Sequence, residues 1–508
     1  MLFVVLDSPD FPALTQHWNQ PSMGQQMRPA KMLKLLESGR RIPVMDGSEQ
    51  QDVHAALNDE EGKDRISSLP DCILHYILSF LPTKEAVATG ILARRWKDLW
   101  TAVPILDFDD SKLYSSHVNY WYPAEITRFM NFVERVLLLR DVSNIERFRL
   151  SCRVCFSASR VHAWISAAIR HNVKELDLCF FVDEPFLLPH RVFNCGSLSI
   201  LNVEMNSIIQ LPNSISCPGL KILHLGLVTF PDDISTQRLF SSCPVLEELA
   251  ILDCDWINMR HISISIPSLR KLIIDDLPTF DSRDYCWGCE IKIDAGSLIF
   301  FKYSGYLSND IHLIEVSSSV KALLHIPMVQ EVQNPLMYSR LIKLFLELKN
   351  ISSLGISGCT IESLFFREKM PNDLPAFQKL TRLELSMQLG VHSGGALMKF
   401  LLHLPNLESL NISKGLDPAM YLTEDDWTPK SAAKSFMSSL KTVVLRCFHG
   451  NSTEVCLLGY FLKHASSLER MIVFCHKSPL DDSKEQEDMK NELQSHPRVS
   501  EYCMIMFF

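Results

Sequence analysis

A six-residue unit recurs along most of this chain. It consists of an apolar residue, two variable positions, an apolar residue, one variable position and a third apolar residue. It first stands at Ile145/Phe148/Leu150 and returns at Val173/Leu176/Leu178, Leu198/Leu201/Val203, Leu220/Leu223/Leu225, Leu246/Leu249/Ile251 and Leu269/Leu272/Ile274. It continues at Leu298/Phe301/Tyr303, Val320/Leu323/His325, Ile351/Leu354/Ile356, Leu380/Leu383/Leu385, Leu407/Leu410/Ile412, Leu440/Val443/Leu445 and Leu468/Met471/Val473. The thirteen copies lie 22 to 33 residues apart. Alternating apolar positions give a strand one face that must be buried. A single strand cannot bury it, whereas parallel neighbours stacked side by side share one continuous core.

That period is near that of leucine-rich repeats, though less regular. The expected fold is therefore an α/β solenoid with a parallel β-sheet on its concave face. Asn206, Cys254 and Cys359 stand three residues past the last strand apolar, where Asn or Cys bonds turn backbone. The variable strand positions, among them Glu175, Glu204, Lys271 and Arg382, are expected to point to the concave surface. Asp177, Asn202, His224, Glu384 and Asn411 lie between the second and third apolar positions and form the candidate target-binding set. Their mixed charge suits a protein or peptide partner, since nucleic acid wants a basic stripe.

Upstream of the repeats, Asp64–Trp100 carries a different pattern. Pro70 opens a helix, with Ile73, Leu74, Ile77, Leu78 and Leu81 on one helical face. Pro82 closes it, and Thr83 caps a second helix that ends near Gly90. Leu92, Trp96, Leu99 and Trp100 make a third apolar stripe. Such a unit is small for an independent core and wants a partner surface.

This stretch resembles an F-box, through Leu69-Pro70-Asp71, Ile77-Leu78-Ser79-Phe80-Leu81-Pro82, Arg95-Trp96 and Leu99-Trp100. It departs from the family at Gly90, Ala93 and Arg94. The resemblance implies an N-terminal three-helix F-box that docks to the Skp-type adaptor of cullin–RING ubiquitin ligases. The residues implied are Leu69, Pro70, Ile73, Leu74, Ile77, Leu78, Leu81, Pro82, Ile91, Leu92, Trp96 and Trp100. The inter-strand phrase from Leu239 to Leu249 resembles plant F-box/leucine-rich-repeat proteins. Trp427, Ser439–Val443, Phe448-His449-Gly450, Glu454 and Phe461–Met471 resemble the family's FBD module, without the usual Val-Pro-x-Cys-Leu before its first strand. The implied role is a non-catalytic substrate receptor, with no catalytic, cofactor or metal residues of its own. A ligase-independent interaction scaffold is the alternative.

The expected organisation is a disordered tail over 1–62, the F-box over 63–110 and a helical linker or cap over 111–144. Repeats follow over 145–426, then an FBD-like module over 427–475. A charged helix and a C-terminal strand occupy 476–508. His117 and Tyr120–Tyr122 form a core or binding patch. A net charge of −9 gives no support to nucleic-acid or membrane-surface binding. No apolar run approaches the roughly 20 residues that cross a bilayer. Fifteen scattered cysteines fit a reducing compartment, the cytoplasm and/or nucleus. Cys152/Cys155 and Cys286/Cys289 are C-x-x-C pairs too far apart in sequence to suggest one zinc site. A thiol redox enzyme built on Cys286-Trp287-Gly288-Cys289 is a remote further alternative.

Overall fold

The thirteen repeat copies are thirteen of the fifteen strands in the main sheet. The computed structural model describes residues 66–110, 123–141, 143–152, 157–181, 186–276, 288–327, 335–365, 374–385, 393–414, 416, 434–476 and 490–508. The expectations for the 1–62 tail, the His117–Tyr122 aromatics, Cys155, Cys286 and Trp427 lie outside them. Two units divide the chain, Met1–Val103 and Pro104–Phe508.

In the larger unit the strands are β1 (Ile105–Asp109), β2 (Arg147–Cys152), β3 (Glu175–Phe180), β4 (Ile200–Met205), β5 (Ile222–Gly226), β6 (Glu248–Leu252), β7 (His261–Ser265), β8 (Lys271–Asp276) and β9 (Glu290–Asp294). After them come β10 (Phe300–Gly305), β11 (Asp310–Ile314), β12 (Lys321–His325), β13 (Ser353–Ile356), β14 (Arg382–Leu385), β15 (Ser409–Ile412), β16 (Thr442–Phe448), β17 (Arg470–Cys475) and β18 (Met504–Phe507). All but β7, β9 and β11 join one parallel sheet in chain order. Two strands outside the repeats bound it: β1, expected within the F-box segment, and β18, from the apolar C-terminal stretch. Register is kept across the sheet, so Leu176, Leu201, Leu223, Leu249 and Leu272 form one buried row.

One copy sits differently from its expected register. At β12 the buried residues are Val320, Ala322 and Leu324, not Leu323 and His325. The run from the first apolar residue into the strand is one residue shorter there. Leu323 therefore turns to the other face, opposite Gly355. A Leu323 methyl lies 2.1 Å from where a Cβ on Gly355 would stand, so the missing side chain makes room for it. Cys359 also differs, for it lies in a helix rather than a turn. The turn's backbone bonding falls to Thr360, whose hydroxyl accepts the Ile326 N–H at 2.7 Å.

The segments that return between strands include helices over Pro123–Leu139, Ala158–Arg170, Asp233–Ser241, Pro335–Glu347, Gly358–Phe365, Ser393–Leu401, Lys434–Met437 and Ser452–His464. Residues 490–495 of the expected charged segment are helical as well. Among the described residues between Asp233–Ser241 and Pro335–Glu347, strands stand where helices stand elsewhere. Strands β7, β9 and β11 form a second parallel sheet that the repeat pattern did not announce. Its side chains alternate, with Ile262, Ile264, Ile291, Ile293 and Ile311 buried. His312 ties it to the helix Pro335–Glu347, through Glu347 at 3.2 Å and Lys343 at 2.7 Å.

The FBD-like residues explain themselves locally. Asn451 caps the helix Ser452–His464 by accepting the Glu454 N–H at 2.9 Å. The Glu454 carboxylate, fully buried, reaches back to accept the N–H groups of His449 and Gly450, each at 2.9 Å. This resembles a capping box in which the glutamate reaches past the N-cap to the two residues before it. Gly450 holds a left-handed φ of 82°, which glycine adopts without strain.

In the smaller unit, helices α1 (Asp71–Leu78) and α2 (Thr83–Ala88) form as expected, except that Pro82 and not Thr83 holds the N-cap of α2, where no side chain caps the helix. The expected third helix is instead a chain of 3-10 turns at Thr89–Ile91, Arg94–Trp96 and Leu99–Ala102. The core is Leu74, Leu78, Ala86, Trp96, Leu99 and Val103, with Leu69, Leu81 and Ala93 packed against it. The Trp96 indole N–H donates to Ser67 Oγ at 2.6 Å. Arg95 folds back over the start of α1 and bonds Asp71 at 2.6 Å and the Leu69 carbonyl at 2.5 Å.

Candidate functional site

Two surfaces have the make-up of binding sites, one in each unit. The first is on the F-box-like unit. Helix α1 is apolar on two stripes. Leu74 and Leu78 point into the core, while Ile73, Tyr76 and Ile77, with Phe80 just past the helix end, are exposed. The sequence pattern had placed Ile73, Ile77, Leu74 and Leu78 on one face; the structure separates them. Tyr76 and Phe80 meet edge to face with centroids 4.9 Å apart. Ile91 and Leu92 are 88% and 67% exposed, so Leu92 belongs to this outer set and not to the third stripe.

The twelve residues implied for adaptor docking thus divide. Leu74, Leu78 and Trp96 are core, and Leu69 and Leu81 support it. Trp100 is half-buried. Pro70, Ile73, Ile77, Pro82, Ile91 and Leu92 are exposed. Tyr76 and Phe80 join them and were missed, although positions 73, 76, 77 and 80 have helical spacing of their own. Clustered exposed apolar residues of this kind mark an interaction site.

The second surface is the open face of the main sheet. Strand alternation puts every other residue there. The middle row begins Asp107, Arg149, Asp177, Asn202, His224 and Ala250 across adjacent strands. It runs on through Glu384, Asn411, Val444, Ile472 and Met506. All five candidate target-binding residues therefore lie in one row. They do not adjoin as one cluster: Asp177, Asn202 and His224 occupy consecutive strands, with Glu384 and Asn411 farther along. Glu175, Lys271 and Arg382 fall in the row beside them on the same face. The distinction drawn between the two sets is one of row, not of face.

Most charges in the first half of this face are already matched. Arg149 lies 3.0 Å from Asp107, 3.5 Å from Asp109 and 3.6 Å from Asp177. Burial pushes the Asp177 carboxyl up, with Arg149 and Arg147 opposing the shift. Glu248 takes His224 at 3.0 Å and Lys271 at 2.9 Å. Burial would raise Glu248, but those two partners outweigh it and hold it low. Glu384 pairs with Lys321 at 3.0 Å. Asn202 and Asn411 each keep a buried side-chain oxygen without a hydrogen-bond partner.

At the ends of β6 and β8 stand carboxyls held above their usual range. Burial, then the charges of Asp275, Asp276 and Glu204, lift Asp253 to about 7. Burial, opposed by the Asn309 amide, lifts Asp276 to about 6. Cys289, of the second C-x-x-C pair, has the opposite of an activated environment. Cys289 is buried, and its thiol is pushed up to about 12 by burial and by Asp233, Glu290 and Asp276. A redox nucleophile needs a lowered pKa. Cys254 donates to the Leu225 carbonyl at 3.4 Å, as a turn residue. Among the described residues, no three His, Cys, Asp or Glu converge to hold a metal ion. No described helix is long and apolar enough to cross a membrane.

Comparison with known families matches residues 66–108 to the F-box domain, and residues 139–500 to the family described as "At1g61320/AtMIF1, LRR domain". Similar proteins come from Arabidopsis thaliana. The putative F-box/LRR-repeat protein At3g59230 is 30% identical over 470 residues, covering 86% of this chain and 93% of that protein. The putative F-box/FBD/LRR-repeat protein At3g59240 is 32% identical over 434 residues, covering 81% and 83%. The F-box/LRR-repeat protein At4g14103 is 29% identical over 390 residues, covering 74% and 98%.

Proposed function

The chain belongs to the F-box/leucine-rich-repeat family, and from that premise we propose that it is the non-catalytic substrate-recognition subunit of an SCF-type cullin–RING ubiquitin ligase. The F-box unit docks to a Skp-type adaptor, and the open sheet face holds a target protein. The receptor raises the effective concentration of target lysines near the charged conjugating enzyme, so it needs no active site. The observation that carries this reading is the outward apolar stripe of α1 together with the exposed Ile91 and Leu92, none of them used by the unit's own core.

Two alternatives lose support. The sequence hints for a ligase-free scaffold are the departures at Gly90 and Ala93. Ala93 packs against the core, and a Cβ on Gly90 would meet the Lys97 carbonyl at 3.3 Å. Both changes answer to internal packing and leave the apolar platform intact. The thiol enzyme is disfavoured by the inert setting of Cys289. The thirteen described cysteines are free thiols, which supports a reducing compartment, and we place the protein in the cytoplasm and/or nucleus.

Adaptor titration tests the proposal. Burying an Ile or Leu side chain contributes about 1.5–3 kcal/mol. At 88% and 67% exposure, Ile91 and Leu92 hold most of that in reserve for a partner. Ile91→Asp/Leu92→Asp is expected to weaken adaptor binding by about 3 kcal/mol, on the order of a hundredfold, with the melting temperature unchanged. Wild-type affinity in this variant would refute docking through the platform.

A further inference from the structure

The open face changes character along the sheet. Its last three strands present Val444, Ile472 and Met506 in the middle row, where β1–β3 present Asp107, Arg149 and Asp177. The flanking rows add Phe474, with Phe508 stacked on it at 5.3 Å. Phe508 is 63% exposed. Two cations border the patch, Arg470 at the start of β17 and Arg446 near the end of β16. Arg446 lies 4.4 Å from the centroid of the Phe474 ring. Neither arginine has a carboxylate partner among the described residues, unlike Arg149, Lys271 and Lys321. Aromatic, methionine and arginine side chains are the residues enriched where protein partners bind.

We infer that this end of the sheet seats an amphipathic helix of the target, whose carboxylates bracket an apolar stripe. The inference rests on the receptor reading above and names where and what it recognises. Three strands span about 10 Å, close to the width of one helix. Four residues separate the row of Arg470 from that of Arg446, about 13 Å along the strands. Carboxylates about nine residues apart on a helix cover the same length. A second copy of this chain is a poorer occupant. Two-fold pairing of the patch would set arginine against arginine, and like charges face to face oppose association.

The test uses the full chain bound to its adaptor and a fluorescein-labelled helical peptide. The peptide carries Leu and Phe at i, i+3, i+4 and i+7, with Glu at both ends of that stripe. Anisotropy is expected to show salt-sensitive binding that falls at least about tenfold in Arg446→Glu/Arg470→Glu. A peptide with Lys in place of Glu is expected to bind that variant and not the wild type. An Ile472→Ser variant, with its melting temperature checked, is expected to weaken both pairings. No binding, binding indifferent to peptide charge, or binding unchanged by the arginine reversals overturns the inference. So does light scattering that finds a self-associated form dispersed by Arg446→Glu. Adaptor binding is measured on the same samples. Its loss with peptide binding kept would fault the receptor reading alone, and the converse would fault only the patch.

Discussion

Glu454 offers the sharpest test of how the C-terminal turn is built. Its carboxylate is fully buried and accepts two backbone N–H groups, while its own N–H is held by Asn451. Glu454→Ala would strand the His449 and Gly450 donors, at about 1–3 kcal/mol each when buried. The carboxylate's own burial, which lifts its pKa, offsets part of that loss. A net destabilisation of about 3 kcal/mol is expected. Glu454→Gln keeps one oxygen for both donors and drops the charge, so about 1 kcal/mol is expected. The pH dependence separates the two effects. The folded carboxyl binds its proton to higher pH than the unfolded one, whose reference is 4.5. Its contribution to stability is therefore fullest below about pH 4.5 and declines as pH rises through the folded pKa. That component of the slope should vanish in Glu454→Gln. Hydrogen exchange across residues 448–462 with thermal melts provides the assay. Unchanged protection at His449 and Gly450 in Glu454→Ala would refute the role assigned to this side chain.

Two further outcomes follow from packing and charge. Asp276, lifted from 3.8 to about 6, should lower stability by about 3 kcal/mol as pH rises from about 4 to above 6. Asp276→Asn should flatten that part of the pH profile, and an unaltered slope in denaturant titrations would contradict it. Gly355→Ala should destabilise by about 1–3 kcal/mol through overpacking against Leu323. Adding Leu323→Ala should recover part of that loss, and strict additivity in the double mutant would count against the contact.

The repeats were readable because the same constraint acts thirteen times. Each strand must bury alternate residues, and only one register satisfies all neighbours at once. The slip at β12 escaped the pattern because Val320-x-x-Leu323 fits the template as well as the true Val320-x-Ala322 does. What decides is Gly355 on the next strand, which opens space for Leu323 on the other face. The second sheet left a signal in His261–Ser265, Glu290–Asp294 and Asp310–Ile314, each alternating with period two. Those segments are short and lie between repeats, where a helix was the default. For the binding residues, periodicity finds apolar positions without saying what covers them. Leu78 and Ile77 are adjacent and chemically alike, yet one is 1% exposed and the other 40%. The two stripes of α1 resolve the ambiguity. A helix apolar on both sides must be sandwiched, and in this unit the core Leu74, Leu78, Trp96 and Leu99 occupies only one side. The other side, with Ile73, Tyr76, Ile77 and Phe80, has no second layer among the described residues of this unit, and in the proposed reading the adaptor supplies it.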